Sequence, residues 1–402
     1  MESREWEAAL DGLVVLDLTR VLAGPYCTMT LGDFGARVIK IEQPGRGDDT
    51  RQWGPPFSAA GESAYYLCAN RNKQSVTLNL KSKMGLQILR ELASRADVLV
   101  ENFKVGTMEQ LGVGYAALRE LNPGLVYCSI TGYGQTGPYR DRPGYDNVIQ
   151  AQGGVMSITG PEDGEPYKVG VAIADITAGM VATISILAAL QWRSRTGQGQ
   201  YIDVALLDSQ LAWLANVASA YLVSGKPPRR YGNAHATIVP YQLMPTADGW
   251  LMLAVGNDTQ FAALCSLLGR EEWITDERFA TNPARVTHRK QLIQMLKEIF
   301  PTRTTREWVD LLLGTGIPCG PVNDIPAALS DPQAVARCMV QSVSHPTAGE
   351  VRLVGPATKL GTTPARIFSA PPVLGEHTDA VLKELLGFDE ERIAELRASG
   401  VI

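Results

Sequence analysis

Apolar and polar residues follow two rhythms along the first half of this chain. Residues 13–17, 38–42, 76–80, 98–101 and 125–130 are short runs rich in Val, Ile and Leu, the signature of strands. Between most of them the apolar spacing lengthens to that of helices, as at 84–95 and 105–121. Strand and helix in turn predict an α/β fold, a parallel sheet with helices on its faces. Such sheets bind ligands at their carboxyl edge, where several of these runs end in a polar residue and a turn.

A run at 201–206 and a helix at 211–223 continue the pattern until Lys226-Pro-Pro-Arg-Arg interrupts it. Beyond that break, 232–247 reads as loop, 250–255 as strand, and 258–268, 287–298 and 305–313 as helices, which predicts a smaller α+β domain. Gly316-Ile-Pro-Cys-Gly-Pro forms a second junction before a mixed tail with a last helix at 378–386. Two domains are the default for 402 residues.

The uncharged stretch 176–192 reads as a buried helix; its 17 residues approach membrane-span length, but Gly, Thr, Ser and Gln interrupt it. Asp175 stands directly before it, the only charge between Lys168 and Arg193. A carboxylate in apolar surroundings is costly unless it is hydrogen-bonded or used. At a helix N-terminus the dipole and the free N–H groups favour a negative oxygen. Asp175 therefore fits either an ordinary helix cap or a nucleophilic or acid–base carboxylate.

Composition narrows the class. With 45% hydrophobic and 20% charged residues this is an ordinary globular chain, and a net charge of −5 argues against a nucleic-acid partner. Six cysteines form no C-x-x-C pair and four histidines show no metal-ligand spacing, so a reducing compartment and no metal are expected. The opening residues, MESREWEAAL, are charged with no apolar core. A cytoplasmic protein with no membrane partner is the resulting expectation.

Several loops carry candidate chemistry. Gly132-Tyr-Gly-Gln-Thr-Gly137 is a literal G-x-G-x-x-G, but Pro138 and Pro143 follow where a dinucleotide site needs a helix to open. It reads as a Gly-rich loop able to bring backbone close to a ligand. Thr19-Arg-Val-Leu-Ala-Gly-Pro makes a tight turn into a helix after the first strand. Arg71, Lys73 and Lys104 flank strands and would suit phosphates if they share one sheet edge. Tyr145-Asp146 either reaches a reacting group or caps the helix that starts there, and His235 either bonds within its loop or acts on a ligand.

Together these segments resemble the family III CoA-transferases, the formyl-CoA and carnitine CoA-transferase-like enzymes. The resemblance runs from Leu16-Asp-Leu-Thr-Arg-Val-Leu-Ala-Gly-Pro and Gly35-Ala-Arg-Val-Ile-Lys-Ile-Glu through Asn70-Arg-Asn-Lys, Val100-Glu-Asn-Phe, Gly132-Tyr-Gly-Gln-Thr-Gly-Pro and Ala174-Asp175. It continues to Gly316-Ile-Pro-Cys-Gly-Pro and Leu374-Gly-Glu-His-Thr. Within the family, 47–57, Gly144-Tyr-Asp and the segment starting at His235 look closest to the succinyl-CoA:glutarate (hydroxymethylglutarate) type.

That resemblance implies a Rossmann-like large domain built from 1–224 and 326–402, a small domain at 225–325, and an interlocked homodimer. It places Asp175 on the catalytic aspartate, which would form an aspartyl–acyl anhydride and then an aspartyl-CoA thioester. Coenzyme A would enter as acyl-CoA substrate, not as a resident cofactor. Leu22 and Ala23 would approach the thioester end. Leu78 to Lys81, Asn102, Phe103 and Lys104, and Arg142 to Tyr145 would meet the nucleotide. His235, Arg142, Tyr145 and Arg230 are candidates for a dicarboxylate's second carboxylate.

The chain also departs from the formyl-CoA enzyme. Leu22 replaces a glutamine, Gln43 and Gln110 replace CoA-contacting arginines, and Gly232-Asn-Ala-His-Ala-Thr stands where a glycine loop closes the site. A different acyl group follows: succinyl is the expectation, with formyl, oxalyl, malyl or carnitinyl specificity as the alternatives. A racemase of the same fold needs a histidine before its second aspartate. Here that position is Tyr145, and a phenol with a pKa of roughly 10 shuttles protons poorly at neutral pH. A CoA-binding regulatory subunit is the non-enzymatic alternative; it would keep its function without Asp175.

Overall fold

The computed structural model describes residues 8–402. They fall into two compact units. One takes the described residues up to Val155, Val169–Ser224 and Pro332–Ile402; the other takes Met156–Lys168 and Gly225–Asp331. The longer crossing lies beside the Lys226-Pro-Pro break, and the return is at Pro332. Met156–Lys168 is a separate short excursion around the Gly-, Pro- and acid-rich run at 160–166.

The first unit is built on six strands: β1 (Val14–Asp17), β2 (Arg37–Glu42), β3 (Lys73–Thr77), β4 (Val98–Glu101), β5 (Val126–Thr131) and β6 (Tyr201–Ala205). They are parallel throughout in the order β3-β2-β1-β4-β5-β6. The chain winds outward from β1 and then resumes on its other side at β4. That reversal opens a crevice at the carboxyl ends of β1 and β4. One predicted strand is misplaced: β3 starts at Lys73, three residues ahead of the apolar run at 76. Lys73 is buried there because Asp17 neutralises it, so a charge that looks like loop belongs to the sheet.

The helices that matter for the site are α1 (Ala23–Asp33), α2 (Lys83–Ala93), α3 (Asp146–Gln152) and α4 (Ile173–Thr196). In α2 the Ser82 side chain accepts the Gly85 N–H, and Ile88, Leu89 and Leu92 form the buried stripe. The helix predicted at 105–121 is two short ones, Thr107–Gln110 and Tyr115–Leu121, broken where Gly112 takes φ +70°. The one predicted at 211–223 begins at Leu206 and breaks at Ala215, φ +40°.

Helix α4 is long and apolar enough to cross a membrane, and its alanine face packs inward. Ala174, Ala178, Ala182, Ile186 and Ala189 are buried with Val15, Val98 and Cys128. The small residues allow close approach to α1: a Cβ on Gly179 would stand 2.6 Å from the Ala23 carbonyl oxygen. The opposite face is open, with Ile184 66% and Met180 48% exposed. The helix expected to be buried all round is thus buried on one side.

The sheet's other face carries Leu16, Ile39, Leu99 and Tyr127, and residues from the far end of the chain complete it: Val381, Leu382, Ile393 and Leu396. Leu374-Gly-Glu-His-Thr docks this tail on β3, where His377 N–H donates to the Ser75 carbonyl at 2.9 Å and Thr77 N–H donates to Thr378 Oγ1 at 3.0 Å.

In the second unit an antiparallel sheet of β7 (Tyr241–Pro245), β8 (Trp250–Ala254) and β9 (Cys319–Pro321) packs with the helices Asp258–Leu268, Arg289–Ile299 and Thr305–Gly314 around Phe261, Leu292, Phe300 and Trp308. Strand β7 lies inside the predicted loop, and β9 is Cys-Gly-Pro, without an apolar period to announce it. The tail of the first unit adds an unpredicted hairpin, β10 (Val340–His345) and β11 (Gly349–Val354).

Candidate active site

Four fully buried charged groups underlie the carboxyl edge near β1. Asp17, the last residue of β1, accepts from Thr19 N–H (2.9 Å), Thr28 Oγ1 (2.7 Å) and Lys73 Nζ (2.9 Å). Lys40 Nζ donates to the Thr19 carbonyl at 2.8 Å and pairs with Asp48 Oδ2 at 2.9 Å. Burial alone would raise the Asp17 pKa, but Lys73, Lys40 and the two threonine hydroxyls outweigh it and keep this carboxylate firmly ionised.

Lys73 is therefore a structural cation. Arg71 is one as well: its guanidinium forks onto Asp33 at 2.8 and 2.6 Å and reaches the Val354 carbonyl at 2.9 Å. Both sit at the amino end of β3, whereas Lys104 follows β4 at the carboxyl end. The phosphate-binding trio expected from Arg71, Lys73 and Lys104 does not assemble.

A cavity of about 380 Å³ opens at the carboxyl ends of β1 to β4. Leu18, Ile41, Leu78, Leu80 and Phe103 give it an apolar lining, while Arg20, Arg46 and Lys81 bring cations. Arg20 and Arg46 share Asp49 at 3.1 and 2.8 Å, which leaves an excess of positive charge. An apolar slot with basic groups suits a flat heterocycle bearing phosphates.

Leu78, Lys81 and Phe103, which the resemblance assigned to the nucleotide, line this cavity, and Gln43 is also part of the wall. Asn102 does not line the cavity; its amide brackets Arg20, accepting from the N–H at 3.0 Å and donating to the carbonyl at 2.8 Å. Lys104 is exposed just beyond. Leu22 and Ala23 are buried at the start of α1, so only their backbone can meet a ligand. Arg142 lies 3.7 Å from the Tyr139 ring centroid, and Tyr145 is 69% exposed ahead of α3. Neither belongs to the cavity wall.

Asp175 is the third residue of α4, not its cap. The capping group is Asp146, the first residue of α3, whose Oδ1 accepts the Ala174 N–H at 2.8 Å and the Asp175 N–H at 3.4 Å. Burial, with the Asp146 carboxylate adding to it, pushes Asp175 up to about 7. The sequence argument expected the helix terminus to keep this group ionised. A dipole worth about 0.3–1 kcal/mol is outweighed by desolvation. At neutral pH Asp175 is consequently poised between acid and carboxylate.

Tyr65 completes this environment. Burial, then the negative charge of Asp175, pushes its phenol up to about 12, so it keeps its O–H proton at neutral pH. Its ring packs edge-on against Trp53 at 5.1 Å. Sequence reasoning missed Tyr65; the usable signal was an aromatic pair spaced around the Gly54-Pro-Pro turn. The Gly-rich loop resolves differently: Gly132 lies against Gly144 so tightly that a Cβ would meet its Cα at 2.5 Å. Gly132 serves backbone packing there, while Gly134 and Gly137 supply left-handed turns at φ +83° and +85°.

His235 belongs to the second unit. Its ring stacks on Tyr241 at 5.4 Å, and Nδ1 accepts the Thr237 N–H at 3.2 Å. That bond puts the proton of the neutral ring on Nε2, making it a donor. Arg230 is engaged by the carbonyls of Pro161 (3.0 Å) and Gly164 (2.6 Å), so it serves its own loop. Among the described residues no cluster of three His, Cys, Asp or Glu has metal-binding geometry.

The sequence profile described as CoA-transferase family III matches residues 10–378. The chain is 46% identical over 393 residues to "Succinyl-CoA:glutarate CoA-transferase" of Homo sapiens, covering 98% of this chain and 90% of that protein. It is 47% identical to "Succinate--glutarate CoA-transferase" of Agrobacterium fabrum, covering 94% and 95%. A CAIB/BAIF family protein from Brucella suis has a similar crystal structure, with a TM-score of 0.86 at 44% identity, covering 94% of this chain and all of that one.

Proposed function

We propose, from the premise that this chain belongs to CoA-transferase family III and is a transferase, that it moves CoA from succinyl-CoA to a dicarboxylate of the glutarate class. The observation that carries the reading is Asp175: a carboxylate on an ordered helix terminus, held near neutral proton affinity, with the Tyr65 phenol within its electrostatic reach. The names of the relatives support the substrate class.

The chemistry is covalent. The Asp175 carboxylate attacks the thioester carbonyl, the C–S bond breaks, and a mixed anhydride and CoA thiolate result. The thiolate then attacks the aspartyl carbonyl, releasing the free acid and leaving an aspartyl-CoA thioester. The acceptor carboxylate reverses both steps and leaves with CoA. Each step passes through a tetrahedral oxyanion, for which the Tyr65 O–H is a candidate donor. No permanently bound cofactor is required; CoA is substrate.

We assign the β1–β4 cavity to the nucleotide end of CoA. The open apolar face of α4, together with the exposed Leu222 (79%) and Val223 (87%), we assign to a second copy in a homodimer. A cytoplasmic setting fits six cysteines that are all free thiols.

The deciding experiment is to quench the enzyme during turnover with succinyl-CoA and glutarate, trap with hydroxylamine, and map the label by mass spectrometry. Label on the Asp175 peptide, with Asp175→Ala losing turnover while still binding CoA, is the expected outcome. An unlabelled peptide and an active Asp175→Ala enzyme would remove this mechanism.

A further inference from the structure

The turn between β1 and α1, residues 19–22, holds its middle residue in a conformation its side chain opposes. Val21 has φ +72°, a left-handed geometry that a β-branched residue keeps only when its surroundings fix it. The fixing groups come from three other segments. Lys40 Nζ donates to the Thr19 carbonyl at 2.8 Å. The single Asn102 amide bonds both the N–H and the carbonyl of Arg20. Asp48 Oδ1 accepts the Val21 N–H at 3.3 Å.

Two of these groups also face the cavity, and Asn102 stands behind Arg20, which does. Lys40 and Asp48 form part of its wall, as do Thr19 and Arg20 themselves. Lys40 and Asp48 are a fully buried ion pair, so neither can turn away without stranding a charge. The turn leads at once into α1, which lies backbone-close to α4 at Gly179, one helical turn beyond Asp175.

We propose that Lys40, Asp48 and Asn102 are positioning residues, a clamp through which the nucleotide end of the substrate fixes the 19–22 turn and thereby the bearing of α1 on the helix of Asp175. The inference rests on assigning the cavity to the CoA nucleotide. Binding of a part of the substrate that does not react then becomes rate at the carboxylate, so a truncated thioester loses kcat as well as affinity.

Two measurements test it. In the first, adenosine 3′,5′-bisphosphate is added to the intact protein and amide hydrogen exchange is followed across residues 19–24. The ligand slows exchange at Arg20 and Val21 by about tenfold in the wild type, within the usual range of coupling between sites, and hardly at all in Asn102→Ala. In the second, kcat is compared for an acyl-CoA and the matching acyl-pantetheine. The wild type prefers the full thioester in kcat by about tenfold or more, and Lys40→Met and Asn102→Ala bring the two values together.

Adding Val21→Gly to Lys40→Met restores part of the lost kcat, because glycine enters the left-handed region freely. Absent protection in the wild type overturns the clamp, as do variants that lower both kcat values equally and keep their ratio. The exchange arm needs no turnover, so it decides the clamp even if the succinyl–glutarate reading fails on its own assay.

Discussion

Asp146 Oδ1 accepts the N–H of Asp175 at 3.4 Å and that of Ala174 at 2.8 Å, so the carboxylate that orders this helix terminus also places a like charge beside that of Asp175. The two effects of Asp146 can be separated by substitution.

The rate should follow the ionisation of Asp175. With its pKa at about 7, kcat/KM for the acyl-CoA donor rises about tenfold per pH unit on the acid side and levels off above neutrality. Asp146→Asn keeps an acceptor oxygen but removes the charge, and moves this limb to lower pH. Asp146→Ala also removes the cap and costs about 1 kcal/mol of stability. A limb that does not move in Asp146→Asn would disprove the like-charge contribution.

Stability should show the cost of ionising Asp175. The folded pKa of about 7 lies above the ordinary carboxylate value of 3.8, so the folded state binds this proton more tightly, and raising pH from about 4 to 7 destabilises the wild type. Asp175→Asn escapes that loss. Its melting temperature should match the wild type near pH 4 and exceed it at pH 8, as scanning calorimetry would show. Equal curves at both pH values would contradict the shift.

Much of this site was visible beforehand. Asp175 stood out because one charge interrupts a long uncharged stretch, and Phe103 follows β4, whose end the apolar run at 98–101 located. Leu78 and Lys81 came from the family resemblance, the run at 76–80 having overshot β3. What stayed hidden depends on pairing between distant segments. Nothing local distinguishes Lys73 and Arg71 from solvent-exposed bases; Asp17 and Asp33 bury them only once β1, β2 and β3 are in register. The misplaced start of β3 and the failed phosphate trio have that common cause. Asp146 was noticed as a cap, but for α3; its true client, α4, begins 27 residues later.

Phe103 forms a wall of the cavity, and Phe103→Ala should weaken CoA binding by about tenfold, as expected for loss of an aromatic contact surface. Affinity for pantetheine should be unchanged. Isothermal titration with both ligands checks this, and equal losses would move the nucleotide elsewhere.

Gly179→Ala should be harmful although alanine favours helices. Its Cβ would meet backbone, the Ala23 carbonyl oxygen, at 2.6 Å, and α1 must retreat. A loss of about 1–3 kcal/mol in denaturant unfolding is expected, together with a fall in kcat. Unchanged stability would show that the helices can separate freely.

Ile184→Glu places a charge at the centre of the open face of α4, where Ile184 is 66% exposed. Sedimentation velocity should show a dimer for the wild type and a smaller species for the variant. Identical profiles would reject this face as the contact between copies.

The hydrogen bond from Thr77 to Thr378 joins residues 301 positions apart, and the buried residues around it come from both portions of the first unit. A nick within Gly225–Asp331 would therefore not liberate either half. The pieces should co-migrate until denaturant is added, and two separately made polypeptides divided in that interval should complement each other when mixed. Closing so long a loop also makes refolding of this unit slow, so recovery after dilution from denaturant should lag far behind that of a protein whose sheet is local.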